Sequence, residues 1–212
     1  MIASTCPRTE PHSCTLGRHL GPPTSVPEVA FEPPARLLAL DPGTTRSAWI
    51  ALDGRSRRPL GFGIEPNEGL VERLRAGREA FDLVVIEKVE SFGMAVGEEV
   101  FETVFWSGRF AEAVTPVPVA RLGRRAVKLV MCGDPRAKDP NIRQALIDRY
   151  GGRERAIGSK HLPGPLHAIV RDVWAALALG VAWLERGWRL DASPTETAPL
   201  GGPVAPTGGD AS

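Results

Sequence analysis

The sequence predicts a single α/β domain over residues 37–189, with a central sheet of about five strands flanked by helices. Three observations carry that expectation. Two short runs, Leu37-Leu38-Ala39-Leu40 and Leu83-Val84-Val85-Ile86, are apolar at every position, the pattern of strands covered on both faces. Asp53-Gly54 separates two strand-like stretches, Ser47 to Leu52 and Leu60 to Ile64, and its permissive backbone favours a hairpin. Elsewhere apolar residues recur at three- and four-residue spacing, as on helices with one buried face.

The first strand ends at Asp41, after which Pro42-Gly43 turns the chain. With the Asp53-Gly54 hairpin, three strands form a meander. A helix is expected near Asn67 to Arg78, then a fourth strand ending at Glu87. Val100, Phe101, Val104, Phe105 and Ala111 place a helix over Gly97 to Ala113. Thr115 to Ala120 reads as an edge strand, because Pro116 and Pro118 cannot donate to a central ladder. Asp139 as N-cap, Pro140 in the first helical position and Gly151 beyond the end bracket a helix of about 140–150. Pro163-Gly164-Pro165 closes a link, and Ile169, Val173, Leu177, Val181 and Leu184 form the stripe of a long final helix.

A length of 212 residues suits one well-cored domain with tails. Apolar residues at 42% and charged residues at 24% exclude a mostly disordered chain. Pro7, Pro11, Pro22, Pro23, Pro27, Pro33 and Pro34 mark residues 1–36 as a flexible leader, and Pro, Gly, Thr and Ala mark residues 190–212 as a flexible tail. The apolar run Val173 to Leu184 is shorter than the roughly 20 residues that cross a bilayer, so no membrane association is expected. Thr5, Cys6, Pro7 and Arg8 interrupt any secretory signal, which makes a cytoplasmic location the expectation. Cys6, Cys14 and Cys132 fit neither a disulfide framework nor a C-x-x-C pair and read as free thiols. His12 beside Cys14 supplies too few ligands for a zinc site.

The net charge of +1 conceals an uneven distribution. Residues 61–119 carry 5 basic and 11 acidic side chains, whereas residues 121–160 carry 11 basic and 4 acidic. A solvated basic surface and a phosphate-binding face account for this equally well.

Asp41 and Glu87 each close a fully apolar strand, and Asp172 stands in the first turns of an apolar helix. Each position alone has an ordinary explanation: a turn start, an exposed strand end, a carboxylate at a helix N-terminus. Together they suggest another. Carboxylates gathered at one sheet edge repel unless a cation lies between them, and hard oxygen ligands select Mg²⁺ or Mn²⁺. Such a cluster would hold two ions about 4 Å apart, one activating water and one stabilising the leaving oxygen of a phosphodiester.

The order of ALDPGTT with its hairpin, VVIEKVESFGM, and GPLHAIVRDVWAALALGVAW resembles the RuvC-type Holliday-junction resolvases, especially a branch found in phages and prophages. The likeness runs from Leu37 to Trp183, and GEEVFETVFWSGRF and AKDPNIRQALIDRYG strengthen it. It implies a ribonuclease-H-like fold with a mixed sheet, and an endonuclease that cuts branched DNA. It also implies metal-binding roles for Asp41, Glu87 and Asp172. The family's fourth ligand usually lies about three residues before the helical Asp, where this chain has Ile169. His167 is the nearest substitute, but on a helix it would lie about 140° from Asp172, so it qualifies only if the chain is not yet helical there. Arg124, Arg125, Lys128, Lys138, Arg143 and Lys160 are the candidate phosphate contacts, which position DNA without reading its sequence. Phe92, Phe101, Phe105, Trp106 and Phe110 read as core or dimer contacts in preference to base-stacking groups. The resemblance implies a homodimer joined through their helix, with two active sites matching the two strands of a four-way junction.

Three rivals remain. ALDPGTTRSAWIALD also resembles the first phosphate loop of actin- and sugar-kinase-like phosphotransferases, although those enzymes have two related domains and a second glycine-rich segment. The same carboxylates would serve a nuclease acting on hybrid or structured RNA. An imperfect ligand set would also suit a non-catalytic DNA-binding subunit.

Overall fold

The computed structural model describes residues 32–90, 93 and 95–186. Cys6, His12, Cys14, Phe92, most of the expected leader and the whole expected tail lie outside them. The sheet has five strands: β1 (Arg36–Asp41), β2 (Arg46–Asp53), β3 (Pro59–Pro66), β4 (Leu83–Lys88) and β5 (Val119–Gly123), in the order β3-β2-β1-β4-β5. The meander β1-β2-β3 is antiparallel, while β4 and β5 run parallel to β1, so the sheet is mixed.

Both faces are covered, which is why the central strands are apolar throughout. Along β1, Leu38 and Leu40 join one cluster with Leu70, Val71 and Leu74 of helix α1 (Asn67–Gly77) and Trp106 and Phe110 of helix α2 (Glu98–Ala113). Leu37 and Ala39 join the other, beneath α3 (Arg124–Cys132), α4 (Asp139–Arg149), α5 (Arg153–Ala156) and α6 (Val173–Arg186). Helix α6 presses close to the sheet. A Cβ on Gly180 would lie 2.7 Å from Leu52 Cδ1 and 3.2 Å from Ala39 Cβ, so any larger residue there would push the helix away.

Five local expectations need correction. The hairpin does not turn at Asp53-Gly54 alone. Its loop runs from Gly54 to Arg58, because the Asp53 carboxylate accepts from Ser56 N at 2.7 Å and Ser56 Oγ at 2.6 Å and winds the chain further. The edge strand begins at Val119 instead of Thr115, after the last proline that cannot donate. Asp139 is not an N-cap: it is the first residue of α4, and its carboxylate is turned to Arg124 at 2.6 Å. The final helix starts at Val173, so Ile169 packs from the preceding turn. The leader ends earlier than residue 36, since Ala35 O accepts from Gly54 N at 3.0 Å and Arg36 is in β1. Helix α3 was not foreseen. It is nine residues long, buries only Val127 and Met131, and opens at Gly123 without a side-chain cap, so it lacks the usual start signal.

Candidate functional site

Strands β1 and β4 pair from Leu37↔Leu83 to Leu40↔Ile86, which brings Asp41 and Glu87 side by side at the next step. Ala39 and Val85, two residues earlier, belong to the cluster beneath α6, so by the strand period Asp41 and Glu87 share that face. Asp172 immediately precedes α6 on the same side. Its carbonyl accepts from Ala175 N at 2.9 Å and Ala176 N at 3.1 Å and starts the helix ladder.

The Asp41 and Glu87 carboxyl groups lie at neighbouring strand ends, close enough that each acts on the other's titration. Burial, and then the charge of Glu87, hold Asp41 well above the usual carboxylate range; Arg124 opposes this and Asp172 adds a weaker upward push. Burial also raises Glu87, against the pull of the Arg124 guanidinium.

The turn after Asp41 is held by a buried polar network. Gly43 N donates to Ser47 Oγ at 3.1 Å, Ser47 Oγ to Asn67 Oδ1 at 2.7 Å, and Asn67 Nδ2 returns to Gly43 O at 2.9 Å. A Cβ on Gly43 would stand 2.3 Å from Arg46 O, so the turn requires glycine. The DPGTT segment therefore owes its shape to residues on β2 and α1, and Asp41 inherits that rigidity.

A cleft of about 230 Å³ opens over the carboxyl pair, with Lys88, Glu90, Thr103 and Arg124 in its walls. Arg124 lies 3.6 Å from Glu87 and 2.6 Å from Asp139. It also lines a basic groove of about 340 Å³ with Arg125, Lys128 and Arg136. Three of the expected phosphate contacts thus converge beside the acids, and Arg136 joins them. Arg143 lines a third cleft, of about 420 Å³, with its guanidinium 4.8 Å from the centre of the Trp174 ring. Lys138 is exposed at the start of α4, and Lys160 is exposed in the loop closed by the Gly158–Pro163 bridge; neither lines these three clefts.

The third carboxylate is placed less tightly than expected. Asp172 is exposed, and among the described residues no group of three His, Cys, Asp or Glu side chains is gathered closely enough to hold a metal ion. Three carboxylates drawn to one point repel. Between Asp41 and Glu87 that repulsion is eased by the charge of Arg124, which pulls both groups down, while Asp172 stays in solvent and adds a weak upward push on Asp41. His167 is in a turn before α6, as its candidacy demands, and its Nδ1 lies 3.1 Å from Ile157 O. The paired carboxylates still suit Mg²⁺, which is commonly held by one or two carboxylates with water and phosphate oxygens completing its shell.

On α2, Trp106 and Phe110 are core residues, but Phe101 is 65% exposed and Phe105 is 55% exposed, with Val104 beside them. Sequence reasoning missed Arg136, Trp174, the wall residue Glu90, and the Asp139 tether on Arg124. An acidic N-cap signal hid that tether.

No family model and no curated protein matches this chain. Among solved structures, it is similar to Thermus thermophilus RuvC in complex with a Holliday junction substrate, at 20% identity over 70% of this chain and 92% of that one, with a TM-score of 0.51. A second structure of Thermus thermophilus RuvC gives 21% identity, coverage of 72% and 96%, and a TM-score of 0.46. The first likeness shows the fold: a mixed five-stranded sheet flanked by helices, of the ribonuclease-H-like kind.

Proposed function

We propose that the chain is a divalent-metal-dependent endonuclease that hydrolyses phosphodiesters in branched DNA, four-way junctions foremost. One observation carries this reading: a half-buried carboxylate pair, Asp41 and Glu87, sits at the C-terminal ends of two adjacent central strands and shares Arg124 with a basic groove. Asp41 and Glu87 would hold Mg²⁺ or Mn²⁺, with Asp172 and His167 as the further proposed ligands, and two such ions would supply an activated water and charge stabilisation for the leaving oxygen.

The protein's own groups do the positioning. Arg124, Arg125, Lys128 and Arg136 hold backbone phosphates and bring one of them over the carboxylates, and Lys138, Arg143 and Lys160 extend the contact. Phosphate contacts of this kind favour recognition of shape. The exposed Phe101, Val104 and Phe105 join two copies about a two-fold axis, so that two sites face two strands.

The test is a panel of synthetic four-way junction, flap, linear duplex and RNA–DNA hybrid, each with Mg²⁺, Mn²⁺ or EDTA. Metal-dependent cutting of the junction above the duplex is expected. Cutting of the hybrid in preference to all DNA forms would transfer the site to RNA, and ATP turnover without any cutting would favour a phosphotransferase.

A further inference from the structure

We propose that the cleft between α4 and the segment preceding α6 is a binding site for one unpaired base of the strand that is cut. This rests on reading the acidic site as a nuclease centre and names the neighbouring group that the centre receives. Asp139, Pro140 and Arg143 form one wall, and Ile169 to Arg171 with Trp174 form the other, enclosing about 420 Å³. That size falls in the range of about 300–1,000 Å³ typical of small-ligand sites.

The chemistry of the walls selects a nucleobase. The Trp174 indole N–H donates to Ile169 O at 3.0 Å, which fixes the ring as it packs against the core beneath α6. The Arg143 guanidinium lies over the ring, 4.8 Å from its centre, so a base would stack on the guanidinium with the indole behind it, and Val170 is exposed nearby. A guanidinium–indole pair stacks on any base, because every base has a π-face, and the two arginines, Arg143 and Arg171, meet the flanking phosphates. A base paired within a duplex has both faces covered and cannot enter. The basic groove of Arg124, Arg125, Lys128 and Arg136 has no aromatic wall, so it takes phosphate alone.

The cleft adjoins the carboxylates from two directions. Asp139 lines it and binds Arg124, which lines the acidic cleft. Arg171 lines it and is followed directly by Asp172.

The experiment is equilibrium binding of the full chain, in EDTA, to a fluorescently labelled four-way junction and to single-stranded DNA carrying an abasic site at successive positions. Wild type should bind about tenfold more weakly when one particular base is missing. Arg143→Ala and Trp174→Leu, each verified as folded by circular dichroism, should lose a similar factor on intact DNA and become indifferent to that abasic position. Arg143→Lys, which keeps the charge without the planar stack, should recover little of the discrimination. Equal binding of intact and abasic DNA at every position would overturn the proposal, as would an Arg143→Ala loss of equal size on both. Base-selective binding by a protein that cuts nothing would refute the nuclease reading and keep this site; cutting without base selectivity would do the reverse.

Discussion

Asp41 and Glu87 stood out in the sequence as a set, because each closes an all-apolar strand, although either position alone has an ordinary explanation. Their contact follows from the register of β1 on β4, which no local pattern encodes. The upward shift of both groups has a consequence with a definite sign. Because both groups are raised, the folded chain keeps a proton that the unfolded chain has already released, so stability falls as pH rises. The contribution is complete below the ordinary carboxylate range and is lost as pH climbs through the raised values. Urea titrations of wild type and Asp41→Asn in EDTA, between about pH 4 and 8, should show a steeper decline for wild type. Asp53, held low by its bonds from Ser56, slopes the other way in both proteins and cancels. Identical slopes would contradict the upward shift of Asp41. Arg124 makes a second prediction at this scale. It divides its charge between Glu87 and Asp139, and Asp139→Asn leaves it to Glu87 alone. Calorimetry should then find Mg²⁺ binding weakened several-fold, about 1 kcal/mol, and strengthened in Arg124→Ala; the opposite order would refute the competition.

At the scale of elements, the sequence reads well where burial is two-sided or periodic and poorly where a short element is held by its neighbours. The strands of the sheet and helices α1, α2, α4 and α6 were all anticipated, because each has an apolar run, a stripe or a terminating Gly or Pro. Helix α3 was not, although Ala126, Val127, Val130 and Met131 recur at helical spacing and Gly133 closes it; only nine residues long, it carries Arg124, Arg125 and Lys128. The turn after Asp41 is the complementary case. DPGTT announces a turn, but its rigidity comes from Ser47 and Asn67, both 1% exposed and bonded to each other and to Gly43. Asn67→Ala leaves the Ser47 hydroxyl and the Gly43 carbonyl short of a buried partner, at a cost of about 1–3 kcal/mol in urea unfolding. It should also weaken Mg²⁺ binding, because Asp41 sits at the mouth of the loosened turn. Full stability in that variant would show that the network does not hold the site.

At the scale of the whole molecule, both faces of the sheet are covered and one edge collects the charge. Alternating burial on β1 and β4 assigns α1 and α2 to one side and α6 to the other, which sends Asp41 and Glu87 toward α6 and leaves the exposed α2 residues on the far layer. Phe101→Glu with Phe105→Glu should convert a dimer to a monomer in sedimentation equilibrium while leaving the far-ultraviolet spectrum unchanged. A wild-type chain that is monomeric at every concentration would remove the two-fold arrangement. Nothing in the sequence distinguished core from exposed positions along α2, since Phe101, Phe105, Trp106 and Phe110 are chemically alike and only the packed layers separate them.

The central claim is that the carboxylates at the sheet edge perform metal-dependent strand cleavage, and single-turnover cutting of a four-way junction tests it most directly. With Mg²⁺ or Mn²⁺, Asp41→Asn and Glu87→Gln should lose at least about a hundredfold in rate, consistent with loss of electrostatic stabilisation worth roughly 3 kcal/mol, while still binding the junction. Asp172→Asn should also slow the reaction with binding retained. Cutting at the wild-type rate by Asp41→Asn or Glu87→Gln would contradict the account.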